Sequence, residues 1–175
     1  AQLAQPWLLK DPRLVLTWPW WASQLEGAVV VCVHRGAAAV AQSLRQRNGF
    51  PLQYGLALWE YYNRRIAQVT AGRDVVLVNY DAFREEPAAE LASLIHQLTE
   101  AGIAISGEVP EPSEYWSADL NHFSDEQAEA QSLMTDSQLE LESAWRQNAS
   151  EPGAAVAIEA PDAVLCARLR DFAEA

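Results

Sequence analysis

Two short runs of apolar residues punctuate a chain that otherwise follows helical spacing. Residues 28–34 (AVVVCVH) are almost continuously apolar and hold four valines. Such a run predicts a strand covered on both faces, as in a parallel sheet. Gly36 follows it, and residues 37–48 (AAAVAQSLRQRN) are Ala-rich and predict a helix that Gly49 stops. Pro51 suits a first helical turn, and Leu52, Leu56, Trp59, Tyr62 and Ile66 fall on one stripe of a helix over residues 51–71. Residues 74–80 (DVVLVNY) repeat the buried-strand pattern, and residues 87–102 repeat the amphipathic one through Leu91, Leu94, Ile95 and Leu98. Before them, residues 7–10 predict a short strand that Asp11-Pro12 ends. Residues 14–25, with Trp18, Trp20 and Trp21 around Pro19, predict a loop running into a short helix.

The second half reads differently. Residues 103–124 contain Gly107, Pro110 and Pro112 with few periodic apolar positions, and predict a long loop. Residues 125–149 return to a helical pattern but are strongly acidic, so at most one narrow face is expected to be buried. A Glu/Pro/Gly/Ala linker over residues 150–160 leads to a final short helix over residues 161–174. The order strand, two helices, strand, helix indicates an α/β sheet. One domain over residues 1–175 is expected, with an α/β core at 1–105 and an acidic helical extension at 106–175.

Composition adds limits. Half of the 175 residues are hydrophobic and 21% are charged, which fits a folded globular domain and excludes bulk disorder. No apolar run approaches the roughly 18–20 residues of a membrane-spanning helix. With no signal-peptide pattern at the start of the sequence, the expected location is the cytoplasm. Cys32 and Cys166 form no metal or redox spacing and are expected as buried free thiols. The net charge of −12 argues against nucleic acid as a partner. That charge is unevenly spread: residues 1–80 carry eight Lys/Arg against four acids, residues 81–175 four against twenty. An anionic ligand therefore belongs with the first half.

The candidate chemistry sits at residues 30–50. A strand delivers Arg35 to its carboxyl end, where ligands of open α/β sheets bind. The following helix offers free N–H groups to an anion. Ser43 and Arg47, four apart, share one face of that helix and could meet Arg35 on one phosphate, for which arginine has the right fork.

The spacing of Arg35, Val40, Ala41 and Ser43 resembles the 3′-phosphate-binding segment of sulfotransferases that use 3′-phosphoadenosine 5′-phosphosulfate (PAPS). Residues 8–14 (LLKDPRL), 55–66 (GLALWEYYNRRI) and 75–87 (VVLVNYDAFREEP) resemble further family segments in the same order. The resemblance implies a three-layer, P-loop-like, mostly parallel sheet flanked by helices. It implies transfer of a sulfonyl group from PAPS, without a metal, to a hydroxyl or amine of a carbohydrate, lipid or small metabolite. Arg35 and Ser43 would hold the 3′-phosphate, and Tyr80 would lie near the adenine. Lys10 would neutralise charge on the leaving sulfonyl group, and Asp11 would be the general base.

The family's phosphosulfate loop and Arg-Lys-Gly clamp have no counterpart here, so the sequence resembles the central and C-terminal part of such an enzyme. A missing N-terminal segment or an oligomer partner would then complete it. The other reading is a catalytically inactive nucleotide-binding or scaffold domain. His34 is expected to be buried, His96 to lie in a helix, and His122 is a second candidate base in the long loop. The Trp18, Trp20 and Trp21 cluster suits either an aromatic plug or stacking on an acceptor ring.

Overall fold

The computed structural model describes residues 7–115, 127–150 and 158–174. Its elements in chain order are α1 (Leu14–Trp21), β1 (Val30–His34), α2 (Ala37–Asn48), α3 (Leu52–Thr70), β2 (Val75–Asn79), α4 (Tyr80–Glu85), α5 (Pro87–Glu100), α6 (Pro112–Tyr115), α7 (Gln127–Ser132), α8 (Asp136–Ser150) and α9 (Ala163–Glu174).

The three-layer, P-loop-like sheet is therefore corrected. The described residues are 63% helix, and among them the sheet consists of two parallel strands. Trp7–Leu9 and Lys10, expected as a strand, are exposed and irregular, with no strand paired to them. The register runs from Val30 opposite Val75 to His34 opposite Asn79. Opposed residues in a parallel pair face the same way, so Val31 and Val33 share a face with Val76 and Val78. Val76 and Val78 are buried, but Val33 is 61% exposed. Cys32 and His34, on the other face, are buried. The expectation of a strand covered on both faces thus fails at β1, where only one face meets helices.

Apolar area is buried mainly between helices. Ala37 and Ala41 of α2, Leu52, Leu56 and Trp59 of α3, Ala130 of α7, and Leu141 and Trp145 of α8 form the central cluster. Gly55 lets α2 and α3 approach closely: a Cβ there would stand 2.8 Å from the Ala41 Cα. Gly49 closes α2 in the left-handed conformation (φ 72°), as its position after the last apolar turn predicts. The acidic α8 buries one face, Gln138, Leu141, Glu142 and Trp145. Residues Gln127–Ser132 and Asp136–Ser150 are two helices where one was expected, with Thr135 beginning the second: its hydroxyl accepts from the Gln138 N–H at 3.3 Å while Gln138 Oε1 accepts from the Thr135 N–H at 3.1 Å. In α9, Leu165 is buried and Phe172 packs on Tyr54 of α3.

Candidate functional site

The two parallel strands end side by side, and the site is built on their carboxyl ends. β1 stops at His34, and the chain turns through Arg35 and Gly36 into α2. β2 stops at Asn79, whose side chain accepts from the Asp81 and Ala82 N–H groups at 3.0 and 3.3 Å and so starts α4. Tyr80 and Asp81 are thereby held beside Arg35 and Gly36. The Arg35 guanidinium stands 4.7 Å from the Tyr80 ring centre, a cation–π pair. Trp59 Nε1 donates to the Arg35 carbonyl at 2.9 Å and pins the turn to α3. Arg35 has no ion-pair partner among the described residues, and its Nε is buried without a hydrogen bond.

The turn's own amides face carboxylates. The Gly36 N–H donates to Asp81 at 3.4 Å, and the Ala37 N–H donates to Glu142 of α8 at 3.3 Å. Glu142 is also paired with Arg146 at 3.1 Å, one helical turn along. Beneath the turn, His34 is 3% exposed and lies between Trp145, stacked at 5.9 Å, and Trp59, edge-on at 6.2 Å. Neither of its ring nitrogens has a hydrogen-bond partner among the described residues, nor has Trp145 Nε1. Burial pushes the His34 pKa down to about 4; Asp81 acts against this and Arg146 adds to it.

The structure brings Arg35 and Tyr80 together. Ser43 lies two turns along α2, half-buried, with no hydrogen bond on its hydroxyl among the described residues. Arg47, farther along the same helix, is exposed and donates to Asn48. Lys10 and Asp11 lie before α1, and no hydrogen bond, ion pair or ring contact joins either to Arg35 or Ser43 among the described residues. Asp11 is engaged by Arg13, whose guanidinium reaches it at 2.7 Å and whose N–H donates to it at 2.8 Å. Those bonds hold its pKa down at about 2, which makes it a weak base. His34 is buried as expected, and His96 lies on α5, near Glu100. His122 lies outside the described residues. Trp18 stacks under Arg73, and Trp20 and Trp21 are exposed on α1, so these tryptophans do not form one buried plug.

Sequence reasoning missed Trp59 as a donor and both carboxylates of the turn. Asp81 follows a strand-end Tyr in a segment already singled out, so its place was within reach. Glu142 gave no local signal, because the turn it meets lies 105 residues earlier. No group of three or more His, Cys, Asp or Glu capable of holding a metal occurs among the described residues. No family model matches the chain, and comparison with curated proteins and with solved structures finds no match.

Proposed function

We propose that the chain binds a 3′-phosphorylated adenine nucleotide and works as a PAPS-dependent sulfotransferase or part of one. The observation that carries this is Arg35: a half-buried arginine at a strand's carboxyl end, its backbone carbonyl held by Trp59, with no carboxylate partner on its guanidinium and no acceptor for its buried Nε among the described residues. Buried donors are almost always satisfied, and a bidentate oxyanion is what this group fits. The reading needs only the strand, turn and helix around Arg35, not a large sheet. Arg35 and Ser43 hold the 3′-phosphate, with Tyr80 beside the purine. Lys10 offsets charge on the sulfonyl group, and a carbohydrate, lipid or small metabolite supplies the hydroxyl or amine. An N-terminal segment or a second copy supplies what this chain lacks for the phosphosulfate end. Free Cys32 and Cys166 suit a reducing compartment, the cytoplasm.

One observation favours binding without turnover. Asp11, the proposed base, is locked by Arg13 and weakly basic. Calorimetric titration with adenosine 3′,5′-bisphosphate tests the shared premise. Binding is expected, and Arg35→Ala and Ser43→Ala should each weaken it by at least about tenfold, or ~1.4 kcal/mol. Absence of binding by the folded chain sinks both readings. Nucleotide binding without sulfonyl transfer to any hydroxyl or amine acceptor selects the second.

A further inference from the structure

We propose that Glu142 is a built-in competitor for the anion seat at the β1–α2 turn, and that a bound phosphate displaces it and loosens α8 from the ends of the strands. The inference rests on the nucleotide-binding reading above and adds its regulation.

Three observations converge on it. First, the Glu142 carboxylate occupies the position an anion would take, accepting from the Ala37 N–H at the start of α2. It does so from an element remote in sequence, and it is 9% exposed. Second, Gly36 has φ −56° and ψ 144°, a conformation open to any residue, so its backbone needs no glycine. What the missing Cβ leaves is space: a Cβ there would lie 2.8 Å from the Glu142 oxygen. The turn keeps room for one acceptor oxygen, and a carboxylate of this chain fills it. Third, the seat of α8 is incompletely satisfied. Trp145, on the same face one turn after Glu142, stacks on His34, and this contact leaves both His34 nitrogens and Trp145 Nε1 buried without partners among the described residues. Each such group carries a desolvation penalty. Arg35, meanwhile, directs no bond to Glu142: the carboxylate's cation is Arg146 on its own helix. A phosphate would gain both the Ala37 N–H and Arg35, which Glu142 does not use together, while the Gly36 N–H stays with Asp81.

The test is Glu142→Gln, which keeps an acceptor for the Ala37 N–H and removes the charge. Adenosine 3′,5′-bisphosphate is titrated into the wild type, Glu142→Gln, Arg35→Ala and the double variant, with circular dichroism confirming the fold of each. Glu142→Gln should bind about tenfold tighter than wild type, and Arg35→Ala should remove the gain. Hydrogen exchange supplies a readout that survives any loss of stability in the variant. In the wild type, nucleotide should speed exchange of the amides in α8 while slowing those in the first turn of α2. Equal or weaker binding by Glu142→Gln, with binding still weakened about tenfold or more by Arg35→Ala, overturns the competitor and leaves the nucleotide site standing. Added protection of α8 on binding overturns it as well. Absence of binding by all four proteins overturns the site itself and the competitor with it.

Discussion

His34 is neutral at physiological pH because its ring is buried between two indoles. Its pKa is about 4 in the folded chain and near 6.5 when exposed. The unfolded state therefore takes up a proton between those values and the folded state does not. Stability is complete above pH 6.5 and falls as the pH drops toward 4. The loss is about 2 kcal/mol by pH 5 and ~3 kcal/mol at its limit. His34→Phe should abolish this component, so the gap between the urea midpoints of variant and wild type should change between pH 7 and pH 5. A constant gap would mean that the ring is not desolvated. Cys32, the next buried group back along β1, has its thiol pushed up to about 11 by burial. At pH 8 only about one molecule in a thousand carries the thiolate there. A maleimide should label the half-buried Cys166 in the native protein and reach Cys32 only after denaturation, which mass spectrometry of the two peptides checks directly.

Among the elements, α2 and α3 show how local pattern and contact diverge. The apolar stripe of α3 and the stop at Gly49 were plain in the sequence, because period and capping chemistry are local properties. Gly55, by contrast, lies within a helix, where glycine usually costs about 1 kcal/mol against alanine. Gly55→Ala would then be expected to stabilise. The structure reverses the sign, since the new Cβ would meet the Ala41 Cα at 2.8 Å and the Ala41 Cβ at 3.0 Å, backbone-anchored atoms that cannot step aside. The helices must separate, at a net cost of about 1–3 kcal/mol, visible as a lowered urea midpoint. The strands were also legible, yet the extent of their sheet was not. A valine run states that a segment is extended and apolar, but β1 covers only one face, and nothing in AVVVCVH distinguishes Val33, exposed, from Cys32, buried. The six-residue α4 escaped notice because its start depends on one Asn79 side chain rather than on any period.

For the molecule as a whole, the uneven charge was visible in the sequence, but how the acidic half is attached was not. A glutamate in the middle of α3 reads as a solvent-facing residue, yet Glu60 is 3% exposed. It accepts from Ser137 at 2.6 Å and from Gln138 at 3.2 Å, both near the start of α8. It pairs with Arg64 at 3.1 Å and lies 3.9 Å from Arg168 of α9. Arg64 in turn donates to Ser137 at 2.9 Å and to the Glu159 carbonyl at 3.1 Å. One buried carboxylate thus ties three helices drawn from both halves of the chain. The exposed pair between Arg45 and Glu129 joins α2 to α7 across the same divide, but a pair so open to solvent contributes little and is screened by salt. Glu60→Ala should therefore cost about 3–5 kcal/mol, because it leaves the Arg64 charge without its buried carboxylate and the Gln138 amide without its acceptor. Glu60→Gln, which can still accept from Ser137, should cost less. The same comparison repeated in 1 M salt separates the two kinds of link: the Glu60→Ala penalty should persist, since its charges are shielded from the solvent ions, whereas any effect of Arg45→Ala should vanish. A Glu60→Ala protein with an unchanged urea midpoint would mean that α8 and α9 are held to α3 by their apolar contacts alone, with Leu141, Trp145 and Leu165 sufficient and the buried charge incidental to the assembly.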